Sequence, residues 1–340
     1  MLKKLTSTTA IAALSVTMLA SGVQAGATFD AIKSQGYIQC GVNTSLPGFS
    51  APIDGVWQGL DVDLCRGIAA AVFGDADAVR YTPLTAAQRF TALQSGEVDV
   101  LARNTTWTLT RDTALGLNFA GVNYYDGQGF MVRADLGVNS ATQLDGAAIC
   151  VEPGTTTELN LADYFRAQGM SFEPVVIENT AEATAAFFSG RCDVYTTDMS
   201  GLASARNVDA ENPADYLILP EVISKEPLGP AVRHGDDQWM DVVRWTLTAM
   251  IEAEEYGITS ENVDEMRDTS TNPGIRRLLG VTPGMGEALG VSEDWAYNII
   301  KQVGNYGESY QTHVTDLLGL ERGLNALWTD GGLMYAFPVR

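Results

Sequence analysis

The chain has 340 residues, and 42 Asp and Glu against 21 Lys and Arg give a formal net charge of −21. An acidic balance of this size excludes nucleic acid and anionic membrane as partners, because both require basic surface. The length exceeds one simple core and suits two lobes.

The first 25 residues have the pattern of a secretory signal. Lys3 and Lys4 form a short basic start, residues 5–20 are largely apolar, and Val23-Gln24-Ala25 has the small-x-small form of a cleavage site. The run is short of the ~20 apolar residues of a membrane span. The expected mature chain is therefore exported to the periplasm, not membrane-embedded, and starts near Gly26. It retains about 315 residues and a charge of about −23.

In the first lobe, YIQCGV (37–42) predicts a buried strand, followed by the loop NTSLPGFSAPIDGVWQG. Residues 61–73 predict a helix, with Val62, Cys65, Ile68, Ala69 and Val72 at helical spacing. AVRYTPL (78–84) predicts a strand, Thr85 an N-cap, and residues 85–94 a helix stopped by Ser95-Gly96. Residues 98–102 predict the next strand. The second lobe repeats this order. AAICVE (147–152) is a strand, GTTTELNLADYFRAQG enters a helix, FEPVVIEN (172–179) is a strand, residues 180–188 are helical, and CDVYTT (192–197) is a strand.

A short internal repeat marks the symmetry. FTALQSGEVDV (90–100) and TAAFFSGRCDV (184–194) each run from a helix through Ser-Gly to Asp-Val, and each is followed by a hydroxyl-rich stretch. Alternating strands and helices argue for parallel sheets, and ligands of open α/β sheets bind at the C-terminal ends of the strands. The expected fold is α/β and two-lobed, each lobe a mostly parallel sheet flanked by helices. The chain crosses between lobes near NYYDGQGFMV (123–132) and SKEPLGPAVR (224–233). The expected division is 26–128 for lobe one, 129–228 for lobe two, 229–256 for a return to lobe one, and 257–340 for a C-terminal extension. That extension carries Trp295, Tyr297, Tyr306 and Trp328 as packing aromatics and shows no chemical motif.

Four cysteines suit an oxidising compartment, and none lies in a CxxC pair, so no metal site is expected. Cys40–Cys65 and Cys150–Cys192, each within one lobe, is the simplest of three connectivities; free buried thiols are the alternative. Only His234 and His313 are histidines, and HExxH, GxSxG and GxxxxGK[ST] are all missing. GMGEALG (284–290) misses the dinucleotide fingerprint by one position and lies far from a first strand, so no cofactor is expected.

Binding chemistry is better supplied. An amino-acid carboxylate suits the planar donor fork of Arg and free N–H groups at a helix start; its ammonium needs a carboxylate. Arg111 follows TTWTLT in lobe one, residues 155–157 begin a lobe-two helix, and Asp198 ends the last lobe-two strand. These loops face each other across the expected cleft.

The strings GLDVDLCRGIAAAVFG (59–74), RFTALQSGEVDVLARNTTWTLTRD (89–112), GTTTE (154–158) and GRCDVYTTD (190–198) give the chain a specific likeness. It resembles the solute-binding proteins of ABC transporters for polar amino acids. NTTWTLTRDT, YYDGQGFMV, SKEPLGPAVR and WAYNIIKQVGNYGE bring it nearest the general L-amino-acid and glutamate/glutamine/aspartate/asparagine branch. Leu60 replaces the Phe of the family's G-F-D-x-D-L. The resemblance implies a monomeric receptor that closes on an L-amino acid and delivers it to a membrane permease. It implies Arg111 on the α-carboxylate, helped by Thr106 and the Thr156 N–H, Asp198 on the α-ammonium, and Asn104 offering a carbonyl. Arg89 is either the contact to the ligand side chain or an exposed helix residue. Relatives stack an aromatic on the ligand where this chain has Leu46, with Phe49 nearby; Trp107 is either that partner or, as expected here, core. The rivals are an enzyme on the same fold, of prephenate- or arogenate-dehydratase type, and a soluble sensor feeding a chemoreceptor.

Overall fold

The computed structural model describes residues 26–340; the expected signal segment lies outside them. One five-stranded sheet has the order Val79–Leu84, Ile38–Asn43, Val100–Leu101, Ala231–Arg233, Leu117–Phe119. A second has the order Glu173–Val176, Ala148–Val151, Val194–Asp198, Gln128–Arg133, Tyr216–Ile218. In both, the first three strands are parallel and the fourth runs antiparallel to the third. The fourth strand of each sheet is the one that has just crossed from the other lobe. The two crossings lie side by side, with Glu226–Leu228 paired antiparallel to Tyr124–Asp126.

The internal repeat has one structural role in both lobes. Gly96 (φ 82) and Gly190 (φ 78) turn the chain out of the helices Arg89–Ser95 and Thr180–Phe188 in the left-handed region that glycine enters freely. The following aspartates then close the open start of the neighbouring strand, Ile38–Asn43 in one lobe and Ala148–Val151 in the other. Asp99 Oδ2 accepts the Gln39 N–H and Asp193 Oδ2 the Ala148 N–H, each at 2.9 Å. The aspartates' own N–H groups donate back to Gln39 and Ala148 carbonyls at 2.8 Å. A partly buried backbone donor is thus paired in the same way twice.

Two predicted features differ. The third helix begins at Arg89, not after Thr85: the Thr85 carbonyl closes a turn onto the Gln88 and Arg89 N–H groups, so Thr85 precedes the helix by a turn and does not cap it. In the extension, Trp295 and Tyr306 join the apolar core around the helix Asp237–Glu255, but Trp328 is 52 % exposed. It packs at a tilt against Tyr335 and donates to Glu255 at the surface. The extension also reaches the crossings: Asn325 donates to the Tyr125 carbonyl and accepts its N–H, and Tyr306 Oη donates to the Asn123 carbonyl. Among the described residues no helix is long and apolar enough to cross a membrane.

Disulfides join Cys40 to Cys65 and Cys150 to Cys192, closing separations of 25 and 42 residues. Each ties a central strand to the element packed beside it. Loop closure of this length removes roughly 3–4 kcal/mol of unfolded-state entropy per bond. Replacing either pair by serine should lower unfolding free energy by about that amount, read from denaturant titration.

Candidate ligand-binding site

The C-terminal ends of both sheets meet around a narrow cavity. Lobe one contributes Asn43, Leu46, Arg89, Arg103, Asn104 and Thr106; lobe two contributes Glu152, the helix start at Thr155 to Thr157, Thr180, Tyr195, Thr197, Asp198 and Gly201. Its walls are polar and its charges are buried.

Asn104 is held at φ 34, a left-handed conformation that Asn tolerates better than most residues. Two bonds hold it there: its N–H donates to Asp61 Oδ2 at 2.8 Å and its Oδ1 accepts from Asn43 Nδ2 at 3.1 Å. Asp61 is fixed in turn by the Asn123 amide. Thr108 caps the short helix Leu109–Thr113, accepting the Arg111 N–H. Arg111 Nη1 donates to the Thr106 carbonyl at 2.9 Å, and its guanidinium stands 5.0 Å from the Phe90 ring centre. Arg111 is buried immediately behind the cavity wall that Thr106 forms.

Arg89 is 2 % exposed and not a surface helix residue. Its Nη1 reaches Thr105 Oγ1 at 3.5 Å, and its buried Nε has no hydrogen-bond partner among the described residues. Across the cavity, Asp198 ends its strand and its carboxylate does not cap the helix Met199–Ser204 that follows. On the same lobe, Thr155 caps the helix Thr156–Gln168 by accepting the Glu158 N–H.

The lobes touch around the cavity. Thr106 and Thr156 hydroxyls are 3.2 Å apart, Thr180 Oγ1 donates to Asn43 Oδ1 at 3.2 Å, and Arg103 Nη2 lies 3.8 Å from Glu152 Oε2. All six residues named from the sequence, Arg89, Asn104, Thr106, Arg111, Thr156 and Asp198, are gathered in this region, five of them lining the cavity. Leu46 lines it too, whereas Phe49 is packed edge-on to Tyr124 in the core. Trp107 is neither core nor cavity wall. It is 39 % exposed and stacks on Phe119 on the far side of its loop, because its neighbour Thr106 turns inward.

Residues 38–262 match the bacterial extracellular solute-binding proteins, family 3. The chain belongs to this family. It is 58 % identical to the general L-amino acid-binding periplasmic protein AapJ of Rhizobium johnstonii, over 97 % of this chain and 98 % of that one. It is 55 % identical to the glutamate/glutamine/aspartate/asparagine-binding protein BztA of Rhodobacter capsulatus, over 95 % and 96 %. A solved periplasmic binding protein of an ABC transporter from Brucella ovis, with glutathione bound, superposes with a TM-score of 0.89 at 58 % identity, covering 92 % of this chain and 99 % of that one. The family match ends at residue 262, just inside the C-terminal extension.

Three charged residues at or behind the cavity wall lay outside the residues singled out by sequence. Arg103 and Glu152 each stand just past the C-terminal end of a central strand, so the strand-end rule that selected Asp198 also reaches them. Glu226 sits in the second crossing, and no local pattern marks it. It is 1 % exposed and accepts from Thr106 and Thr156 Oγ1, Asn160 Nδ2 and Ser224 Oγ.

Burial controls the electrostatics. It pushes Asp198 well above the ordinary carboxylate range, with Asp126 and Glu226 adding to the effect and Arg89 and Arg111 opposing it. It raises Asp61 to about 6 against the pull of Asn104, Asn123 and Arg103, and Asp126 to about 6 against its bonds from Ser200 and Gly127. It lowers Arg111 to about 10, although Glu226 and Asp198 favour its charge. The raised carboxylates bind protons in the folded state that the unfolded chain releases near its ordinary value of 3.8. Their stabilisation is present below that value and lost as pH rises through about 6. The ligand-stripped protein should therefore melt higher at pH 5 than at pH 8, as thermal unfolding followed by circular dichroism will show.

Proposed function

We propose that this chain is an exported receptor that captures a polar L-amino acid between its lobes and hands it to an ABC permease. The observation that carries the reading is a polar cavity between the lobes with buried guanidinium groups on lobe one and the buried Asp198 carboxylate on lobe two. A zwitterion matches such a pair, and a buried charge requires a partner.

On this reading Arg111 and the Thr156 N–H take the α-carboxylate, while Asp198 and the Asn104 carbonyl take the α-ammonium. Arg89, with an unpaired Nε beside the cavity, takes an acceptor on the ligand side chain. The names of AapJ and BztA support a broad range that includes Glu, Gln, Asp and Asn. Glutathione, the ligand in the Brucella ovis relative, begins with a γ-linked glutamate that carries the same free α-carboxylate and α-ammonium. The paired crossing strands act as the hinge between a lobe of residues 26–128 plus 229–256 and a lobe of residues 129–228. Ligand contacts to both lobes favour the closed state. The chain is then a carrier and not an enzyme, and it returns its ligand unchanged. Export follows cleavage after Ala25, and the working unit is a monomer.

Calorimetric titration of the ligand-stripped protein against the twenty L-amino acids tests the reading, with dissociation constants between nanomolar and micromolar expected, about −12 to −8 kcal/mol. Arg111→Ala should weaken binding by about 2–5 kcal/mol, because a buried carboxylate loses its partner. Unchanged affinity in that variant would remove Arg111 from the site. Failure of every amino acid to bind the unaltered protein would overturn the receptor reading.

A further inference from the structure

Arg103 and Glu152 both line the cavity, and the binding scheme above gives neither a task. Both are buried, Arg103 at 2 % exposure and Glu152 at 8 %. They face each other from opposite lobes, with Arg103 Nη2 3.8 Å from Glu152 Oε2, too far for a hydrogen bond. Arg103 is anchored through its Nε, which donates to the Leu84 carbonyl at 2.8 Å. Its buried Nη2 has no hydrogen-bond partner among the described residues, and the same is true of Arg89 Nε. On the other side, Thr180 Oγ1 is shared between Asn43 Oδ1 and Glu152 Oε2, 3.2 Å from each.

Unpaired donors and a carboxylate therefore stand together on the cavity wall, close enough that Arg89, Arg103 and Glu152 act on one another's charge. Counted as ions, they leave an excess of positive charge. A ligand side chain that ends in a carboxylate removes that excess and offers acceptors to the two unpaired N–H groups. One that ends in a carboxamide brings no charge. Its oxygen accepts from the same donors, and its NH₂ group needs an acceptor, which a carboxylate is. A buried amide without such an acceptor would be rejected, because the unpaired donor keeps its full desolvation cost.

We propose that Arg103 and Glu152 are the specificity-determining pair for the ligand side chain: Arg103, beside Arg89, donates to a terminal oxygen and Glu152 accepts from a terminal amide, so that one site takes acidic and amide side chains alike. The inference rests on the amino-acid reading of the cavity and leaves its α-carboxylate and α-ammonium contacts as they stand. It also says when the choice is made. Arg103 stands just past the lobe-one strand Val100–Leu101 and Glu152 just past the lobe-two strand Ala148–Val151. Donor and acceptor are therefore brought together only when the lobes close, and the side chain is read at closure.

The test compares L-glutamate with L-glutamine, which carry the same α-groups, by calorimetry on the full mature, ligand-stripped protein. The unaltered protein should bind both. Glu152→Gln keeps the volume and removes the charge that competes with a ligand carboxylate for Arg103. It should move the affinity ratio toward L-glutamate by about tenfold, the scale of one charge-assisted hydrogen bond. Arg103→Met leaves Glu152 without its countercharge and should move the ratio toward L-glutamine by about as much. If one variant does not fold, the other decides. Equal weakening of both ligands, a shift below roughly threefold or a shift in the opposite direction would show that the pair only joins the lobes. Any of these, or an unaltered protein that binds one of the two ligands and not the other, would overturn the proposal while leaving the receptor reading intact. An unaltered protein that binds no L-amino acid would instead remove the reading on which the proposal rests.

Discussion

Charge buried between two lobes is the constraint on which the rest of the structure depends. Arg89, Arg103 and Arg111 come from one side, Glu152 and Asp198 from the other, and Glu226 from the second crossing, all nearly out of water, with the half-buried Asp126 beside them on the first crossing. Each is unfavourable alone in a medium of low polarity. Arg103 faces Glu152 at 3.8 Å, and hydroxyls, amides and backbone groups accept or donate at many of the remaining positions. Burial raises the Asp198 carboxylate and lowers the Arg89, Arg103 and Arg111 guanidinium groups from their ordinary ranges.

Holding such groups in place requires rigid walls and a defined hinge. The central strands supply the walls, and a disulfide ties each lobe's central strand to its neighbour. At the hinge, the paired crossing strands are themselves gripped by the extension. Asn325 bonds Tyr125 on both backbone groups, as a neighbouring strand does, and Asn207 of lobe two donates to the Leu318 carbonyl at 2.6 Å. The segment beyond the family match therefore spans lobe one, hinge and lobe two. It is part of the frame within which the lobes meet.

The internal repeat was the strongest local signal, and its physical basis is now visible. Ser-Gly is a helix stop, and the Asp one residue before the end of the motif closes the neighbouring strand through its own backbone and side chain. Both duties are short-range, so they leave a pattern in sequence. Glu226 leaves none. Its four partners lie two, 66, 70 and 120 residues away in the chain, and no periodicity links such positions. Trp107 shows the reverse problem: an aromatic inside a binding loop reads as core or ligand contact, yet the direction of its neighbour Thr106 sends it outward.

Sequence alone determined the α/β lobes, the crossings, the loops that carry Arg111 and Asp198, and the absence of the familiar catalytic motifs. These follow from hydrophobic period, turn residues and strand-end position, all properties of neighbouring residues. Tertiary structure decided that Arg89 is buried, that Arg103 faces Glu152, that Trp107 and Trp328 are exposed, and that a hinge carboxylate bonds two threonines from opposite lobes. Those outcomes depend on which distant side chains share one desolvated volume, and desolvation is set only when the lobes close on each other.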